Sequence, residues 1–162
     1  MIKTNIILVI ILILVAAVAY TIMNQTETDN YFFSQKIEIE NVEKIILQFE
    51  NNEIFDLNQK DDFFVFKETE IEKTEFESFF EKINTISVQR EFDNLTNLAE
   101  LGLENPHFSV TVYLDNGKYF NVAYGRRNPS NTGIYCLTEN RIYIVDTFFY
   151  HEAREFRRKL ND

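Results

Sequence analysis

The chain predicts an α+β domain held behind an apolar N-terminal helix, and three observations predict it. An uncharged run of 18 residues, Ile6–Met23, stands near the start. Later segments alternate apolar and polar residues around Asn, Asp and Gly turns, the period of half-buried antiparallel strands. Two further stretches, 75–83 and 148–160, repeat apolar residues at helical spacing instead, and such helices cover one face of an antiparallel sheet.

As a helix, Ile6–Met23 is about 27 Å long, against about 30 Å of bilayer hydrocarbon. Lys3 precedes it and Glu27 and Asp29 follow it. The positive-inside bias therefore predicts a cytoplasmic tip at residues 1–5, a single membrane pass through 23, and everything later outside the cytoplasmic membrane. The lipid bilayer is thus an expected partner of residues 6–23. Ala17-Val18-Ala19 has the small-x-small form of a signal-peptidase site, which leaves secretion after cleavage near Ala19 as the alternative. One lysine before the run, and apolar Tyr20, Ile22 and Met23 beyond that site, favour a retained anchor. With only four Gly and two Pro in 162 residues, the composition suggests an AT-rich bacterial genome.

Residues 24–36 read as a polar tether, in which Tyr31, Phe32 and Phe33 fit either the membrane interface or the underside of a domain. The domain proper is expected over 37–162. Lys44–Gln59 forms a hairpin, and a three-residue loop at Glu50-Asn51-Asn52 puts Ile45, Leu47 and Phe49 on one face with Phe55 and Leu57. A two-residue loop would set Leu47 across from Asp56, and a slip of one residue turns every side chain over. Asn52 suits the left-handed position that ends such a loop. Phe63–Phe66 reads as a third strand.

Thr74 and Glu77 have capping-box spacing ahead of a helix over Glu75–Ile83, whose Phe76, Phe79, Phe80 and Ile83 form one stripe. Leu95–Leu101 reads as a short helix closed by Gly102. Pro106 imposes an extended approach to the next strand. There, a three-residue Asp115-Asn116-Gly117 loop with left-handed Gly117 aligns Phe108, Val110, Val112 and Leu114 with Phe120, Val122 and Tyr124. Gly125–Gly133 reads as a loop. Ile134–Leu137 and Ile142–Val145 pair across Glu139-Asn140. Asp146 or Thr147 caps a last helix with Phe148, Phe149, Ala153, Phe156 and Leu160 as its buried face, Arg157, Arg158 and Lys159 at its C-terminal end, and a Glu155–Lys159 pair. The two halves are loosely alike, each running from hairpin to strand or hairpin to helix.

Leu101–Pro106, the Asp115-Asn116-Gly117 hairpin, Tyr124-Gly125, Thr132-Gly133-Ile134-Tyr135 and Ile142-Tyr143-Ile144-Val145 occur in one order. In this the chain resembles the family of domain of unknown function 4340, whose members carry a Gly-Leu-x-x-Pro segment before a hairpin, a glycine after it and two closing tyrosine-bearing strands. Val42-Glu43-Lys44-Ile45 and Asp62-Phe63 are similar to that family's first strands, and Phe156-Arg157-Arg158-Lys159 to its arginine-bearing end. Phe63-Phe64 stands where a tryptophan is common. The resemblance covers about residues 37–160. It implies one N-terminal anchor, an extracytoplasmic domain and company with ABC-type export permeases, and it brings no catalytic residues.

Charge narrows the partners. The chain carries 16 basic and 26 acidic residues, net −10, and −11 beyond Lys3. That balance opposes nucleic acid and a broad hold on anionic lipid. One cysteine, Cys136, and two histidines, His107 and His151, support no disulfide and no Cys/His metal site. Glu68, Glu70, Glu72, Glu75 and Glu77 bracket the start of the first helix, a solvated position that a helix N-terminus favours. No nucleophile elbow, P-loop, dinucleotide fingerprint or zinc helix is present. Neither catalysis nor a cofactor is therefore expected. Arg126 and Arg127 are the local positive charge on an acidic domain and the candidate contact for an anionic ligand or acidic partner; Arg154, Arg157 and Arg158 form a second cluster. The expectation is a membrane-anchored extracytoplasmic binding or scaffold domain of an envelope or ABC-type transport assembly, with a membrane or envelope protein, such as a permease, as partner. The alternatives are an envelope-associated enzyme and a carrier of an apolar ligand in the Phe-rich core.

Overall fold

Alternation decides the strands. In the computed structural model, which describes residues 32–161 apart from 34 and 93–96, β1 (Val42–Phe49) pairs with β2 (Glu53–Lys60) so that Ile45 faces Leu57 and Leu47 faces Phe55. All four are buried, and Asn52 closes the three-residue turn at φ +60°. β6 (Phe108–Leu114) and β7 (Tyr119–Arg127) pair as Val112↔Phe120, Val110↔Val122 and Phe108↔Tyr124, with Gly117 at φ +77°. Both registers are those the apolar pattern predicts. The expected span Ile6–Met23 lies outside the described residues, among which no helix is long and apolar enough to cross a membrane.

The strands join one antiparallel sheet in the order β4-β3-β2-β1-β6-β7-β8-β9-β5. β3 (Phe63–Phe66), β8 (Ile134–Thr138) and β9 (Arg141–Val145) fall where expected. β4 (Thr69–Glu72) and β5 (Val88–Phe92) were not legible: both are short edge strands, mostly exposed, and lack an apolar period. Glu70 and Glu72 therefore sit on a sheet edge rather than at a helix start, where charge discourages pairing with another sheet.

α1 (Glu77–Asn84) follows β4, and α2 (Phe148–Asn161) follows β9. The loose likeness of the halves becomes a near two-fold arrangement. Each half runs four strands and a helix, and the halves meet where β1 lies antiparallel to β6 around Ile46↔Thr111. A half-turn about that pair exchanges the two three-residue hairpin turns.

Both helices lie on the same sheet face, antiparallel to each other. Phe76 meets Phe64 and Phe156 at ring separations of 4.6 and 4.5 Å, and Phe79 meets Phe149 at 4.9 Å. Phe149 reaches down to Phe108 and Tyr124 at 6.0 and 5.9 Å. Ring packs on ring between helices and sheet, and each buried Phe contributes about 1.5–3 kcal/mol.

The segment ahead of β1 covers the rest of this face. Phe33 packs on Phe120 and Phe32 on Tyr143, with ring separations of 5.0 and 5.2 Å, so these two aromatics belong under the domain. Buried Asn84 holds the segment: its Oδ1 accepts from the Ile37 N–H, and its Nδ2 donates to the Ile37 carbonyl, both at 2.8 Å.

Helix ends depart from expectation in four places. The Thr74–Glu77 capping box does not form, because a 3₁₀ turn over Lys73–Phe76 delays α1 and makes Glu77 its first residue; Thr74 bonds Glu72 instead. Leu98–Gly102 is a set of turns, not a helix, although Gly102 closes it at φ +71° as foreseen; Leu95 lies outside the described residues. Phe148 is 71% exposed, because the buried stripe of Phe149, Ala153 and Phe156 starts one residue later, and Leu160 is only partly buried. Glu155 pairs with Arg158 at 2.9 Å, while Lys159 turns to Glu75 at 3.9 Å, so the expected Glu155–Lys159 pair is absent. The α2 cap is present: Asp146 Oδ1 accepts from the Phe148 N–H at 2.8 Å.

Candidate functional site: an arginine-rich end of the sheet

Strand direction sorts the charges. β1 and β7 finish, and β6 begins, at one end of the sheet. α2 starts there beside β9 and crosses toward β2, setting Phe149 over Tyr124 and Arg157 over the Phe49 ring at 5.0 Å. The chain arrives at the opposite end, where Phe33 meets Phe120 and the Lys118 ammonium donates to Gln35 Oε1 at 3.5 Å. At about 3.3 Å per residue, Phe120 and Arg127 are about 23 Å apart along β7.

Arg126 and Arg127 were expected in a loop, but β7 continues through Arg127 and the loop begins at Asn128. The β7–β8 pairing shifts register between Tyr124 and Arg127, which breaks regular alternation, and the two side chains take up separate contacts, so the structure does not bring them together. Arg127 turns toward α2, donating to Asn131 Oδ1 at 3.3 Å and approaching His151 Nε2 at 3.5 Å. Arg126 lies against Gly102 and lines a hollow of about 170 Å³ with Ala99, Glu104, Asn105 and His107. Gly125 permits this fit, since a Cβ there would stand 2.2 Å from the Leu101 carbonyl oxygen.

What gathers is the end as a whole. Five of the seven arginines (Arg126, Arg127, Arg154, Arg157 and Arg158) and both histidines lie here on a net-acidic chain. Several carboxylates at this end are engaged. Arg157 pairs with Glu53, whose other oxygen accepts from Asn161 at 3.0 Å. The Asn161 hydrogen bond above all, joined by the hydrogen bond and charge of Arg157, holds the Glu53 carboxyl below its usual range against the opposing push of burial. Glu50 meets His107 Nδ1 at 2.9 Å. Among the described residues, no ion pair engages Arg126, Arg127 or Arg154. A surface cleft of about 310 Å³ opens among Arg154, Arg157, Arg158 and Asn161.

This geometry suits binding of negative charge, because arginine forks match carboxylate and phosphate oxygens. The buried groups beneath it are poor acid–base groups: burial pushes the Cys136 thiol and the Tyr124 phenol up, and the Tyr124 hydroxyl has no hydrogen-bond partner among the described residues. Among the described residues, no three His, Cys, Asp or Glu side chains are grouped to hold a metal. The sequence offered Arg126–Arg127 as the site and set Arg154–Arg158 beside it as a separate cluster. It gave no sign of Glu53 and Asn161 as partners, which sit 108 residues apart and meet only when α2 crosses the sheet. No family model, curated protein or solved structure matches the chain.

Proposed function

We propose that the protein is a membrane-anchored extracytoplasmic binding domain, an accessory component of an envelope assembly such as an ABC-type export system. The apolar run Ile6–Met23 supports the anchor, and the resemblance to domain of unknown function 4340 supports the setting. One observation carries the binding role: the chain arrives at one end of the sheet, and most of its arginines gather at the other. The arginine end is therefore left clear of the segment that leads into β1. The acidic remainder of the surface keeps it from sticking to anionic polymers and lipid in general.

The test is membrane extraction from native cells in mild detergent. The full chain is expected in the membrane fraction, with residues 37–162 open to protease from outside and a stable membrane-protein partner co-purifying. A chain shortened to begin near Tyr20, or one that purifies as a lone monomer, overturns the reading.

A further inference from the structure

We propose that the outer line of α2 is a docking track for an acidic segment of a partner protein, with an apolar side chain of that segment seated on Phe148. The proposal rests on the accessory-domain reading above and names the surface and chemistry it would use. Phe148, His151, Arg154, Arg158 and Asn161 follow at spacings of three, three, four and three residues, one line along the helix, and all are exposed. The line is about 20 Å long, within reach of about six extended residues. Arg127 joins it from β7 through His151.

Four features favour a carboxylate-bearing peptide. First, the charges on the track are arginines and a histidine, and a guanidinium fork pairs carboxylates in a way an ammonium does not. Second, one is already positioned: Arg154 lies over the Tyr150 ring at 5.9 Å, which lowers the ordering cost of binding. Third, Arg158 can leave Glu155 cheaply, since their side chains are 73% and 61% exposed. Fourth, an exposed aromatic beside arginines is the composition of interface hot spots. An anionic bilayer fits less well. A single exposed ring offers little to insert into a bilayer, whereas one apolar side chain of a peptide is enough to cover it.

Full-length protein in phosphatidylcholine nanodiscs is titrated against a fluorescein-labelled peptide of two leucines followed by a run of glutamates. The expected result is binding that weakens as salt rises, about tenfold or more in R154E/R158E, and severalfold in Phe148→Ser. K67E/R90E, with the same charge change away from the track, should bind as the parent does, and a glutamine version of the peptide should not bind. Far-ultraviolet circular dichroism confirms that each variant is folded. No binding of the glutamate peptide, equal loss in both charge-reversed variants, or arginine-dependent capture of phosphatidylglycerol vesicles without peptide binding overturns the track. Co-purification separates this from the underlying reading. If R154E/R158E keeps its membrane partner, the track falls and the accessory role stands; if the unaltered chain has no membrane partner, the accessory role itself falls.

Discussion

Asn84 and Ile37 exchange two hydrogen bonds of 2.8 Å, amide to backbone in both directions, so the last residue of α1 holds the segment leading into β1 much as a strand neighbour would. Asn84 is buried, and truncation strands both Ile37 groups away from water. Asn84→Ala is therefore expected to cost about 2–4 kcal/mol, two buried hydrogen bonds and their desolvation. Denaturant titration measures the loss, and hydrogen exchange should quicken first over 35–41. Unchanged exchange there would contradict the clamp.

Tyr124 offers the opposite case. Its hydroxyl is buried without a hydrogen-bond partner among the described residues, and its ring packs on Phe108 and Phe149. Tyr124→Phe keeps the ring and removes the orphaned group. Stability should rise, or at worst hold, by up to about 1–2 kcal/mol. A clear loss in thermal or denaturant unfolding would mean the hydroxyl has a partner.

Two glycines separate crowding from backbone conformation. At Gly125 a Cβ would meet the Leu101 carbonyl oxygen at 2.2 Å, whereas at Gly117, φ +77°, it would meet nothing within 4 Å among the described residues. Gly117→Ala should cost about 1 kcal/mol, for the left-handed conformation alone. Gly125→Ala must push the 98–103 turns off β7 and should cost about 3 kcal/mol or more. Equal losses, measured by urea midpoint at constant slope, would contradict this assignment.

Glu53 predicts a pH dependence with a definite sign. Its carboxyl is held below the usual range by Asn161 and Arg157 in the folded protein only. The stabilisation is thus complete above the ordinary carboxylate value and is lost as pH falls through the lowered one. Glu53→Gln should be less stable than the parent at neutral pH, and the gap should close on acidification below about pH 4. A gap that widens in acid would contradict the ion pair.

Legibility followed periodicity. Both three-residue hairpins, the left-handed Asn52 and Gly117, and the Phe stripe of α1 were readable because a one-residue error would have buried Asp56 or exposed a row of Val and Phe. β4 and β5 were not, since Thr69–Glu72 and Val88–Phe92 owe their pairing to a neighbour's free edge rather than to their own pattern. Phe148 was misread because helix amphipathicity tolerates one apolar residue beyond the stripe. The candidate site was half visible: adjacency in sequence picked out Arg126 and Arg127, which make separate contacts at an irregular stretch of β7, while the wider assembly with α2 depends on a crossing that sequence alone does not state.

The near two-fold relation of the halves bears on stoichiometry. A symmetric pair of identical half-length chains would carry the same charges at both ends and would seat two partners. In one polypeptide the two ends can differ: five of the seven arginines lie at the end where β1 and β7 finish, while the opposite end carries the Lys118–Gln35 contact. The arginines thus break the two-fold relation that the strands keep, and under the binding role proposed above one chain would offer one such end.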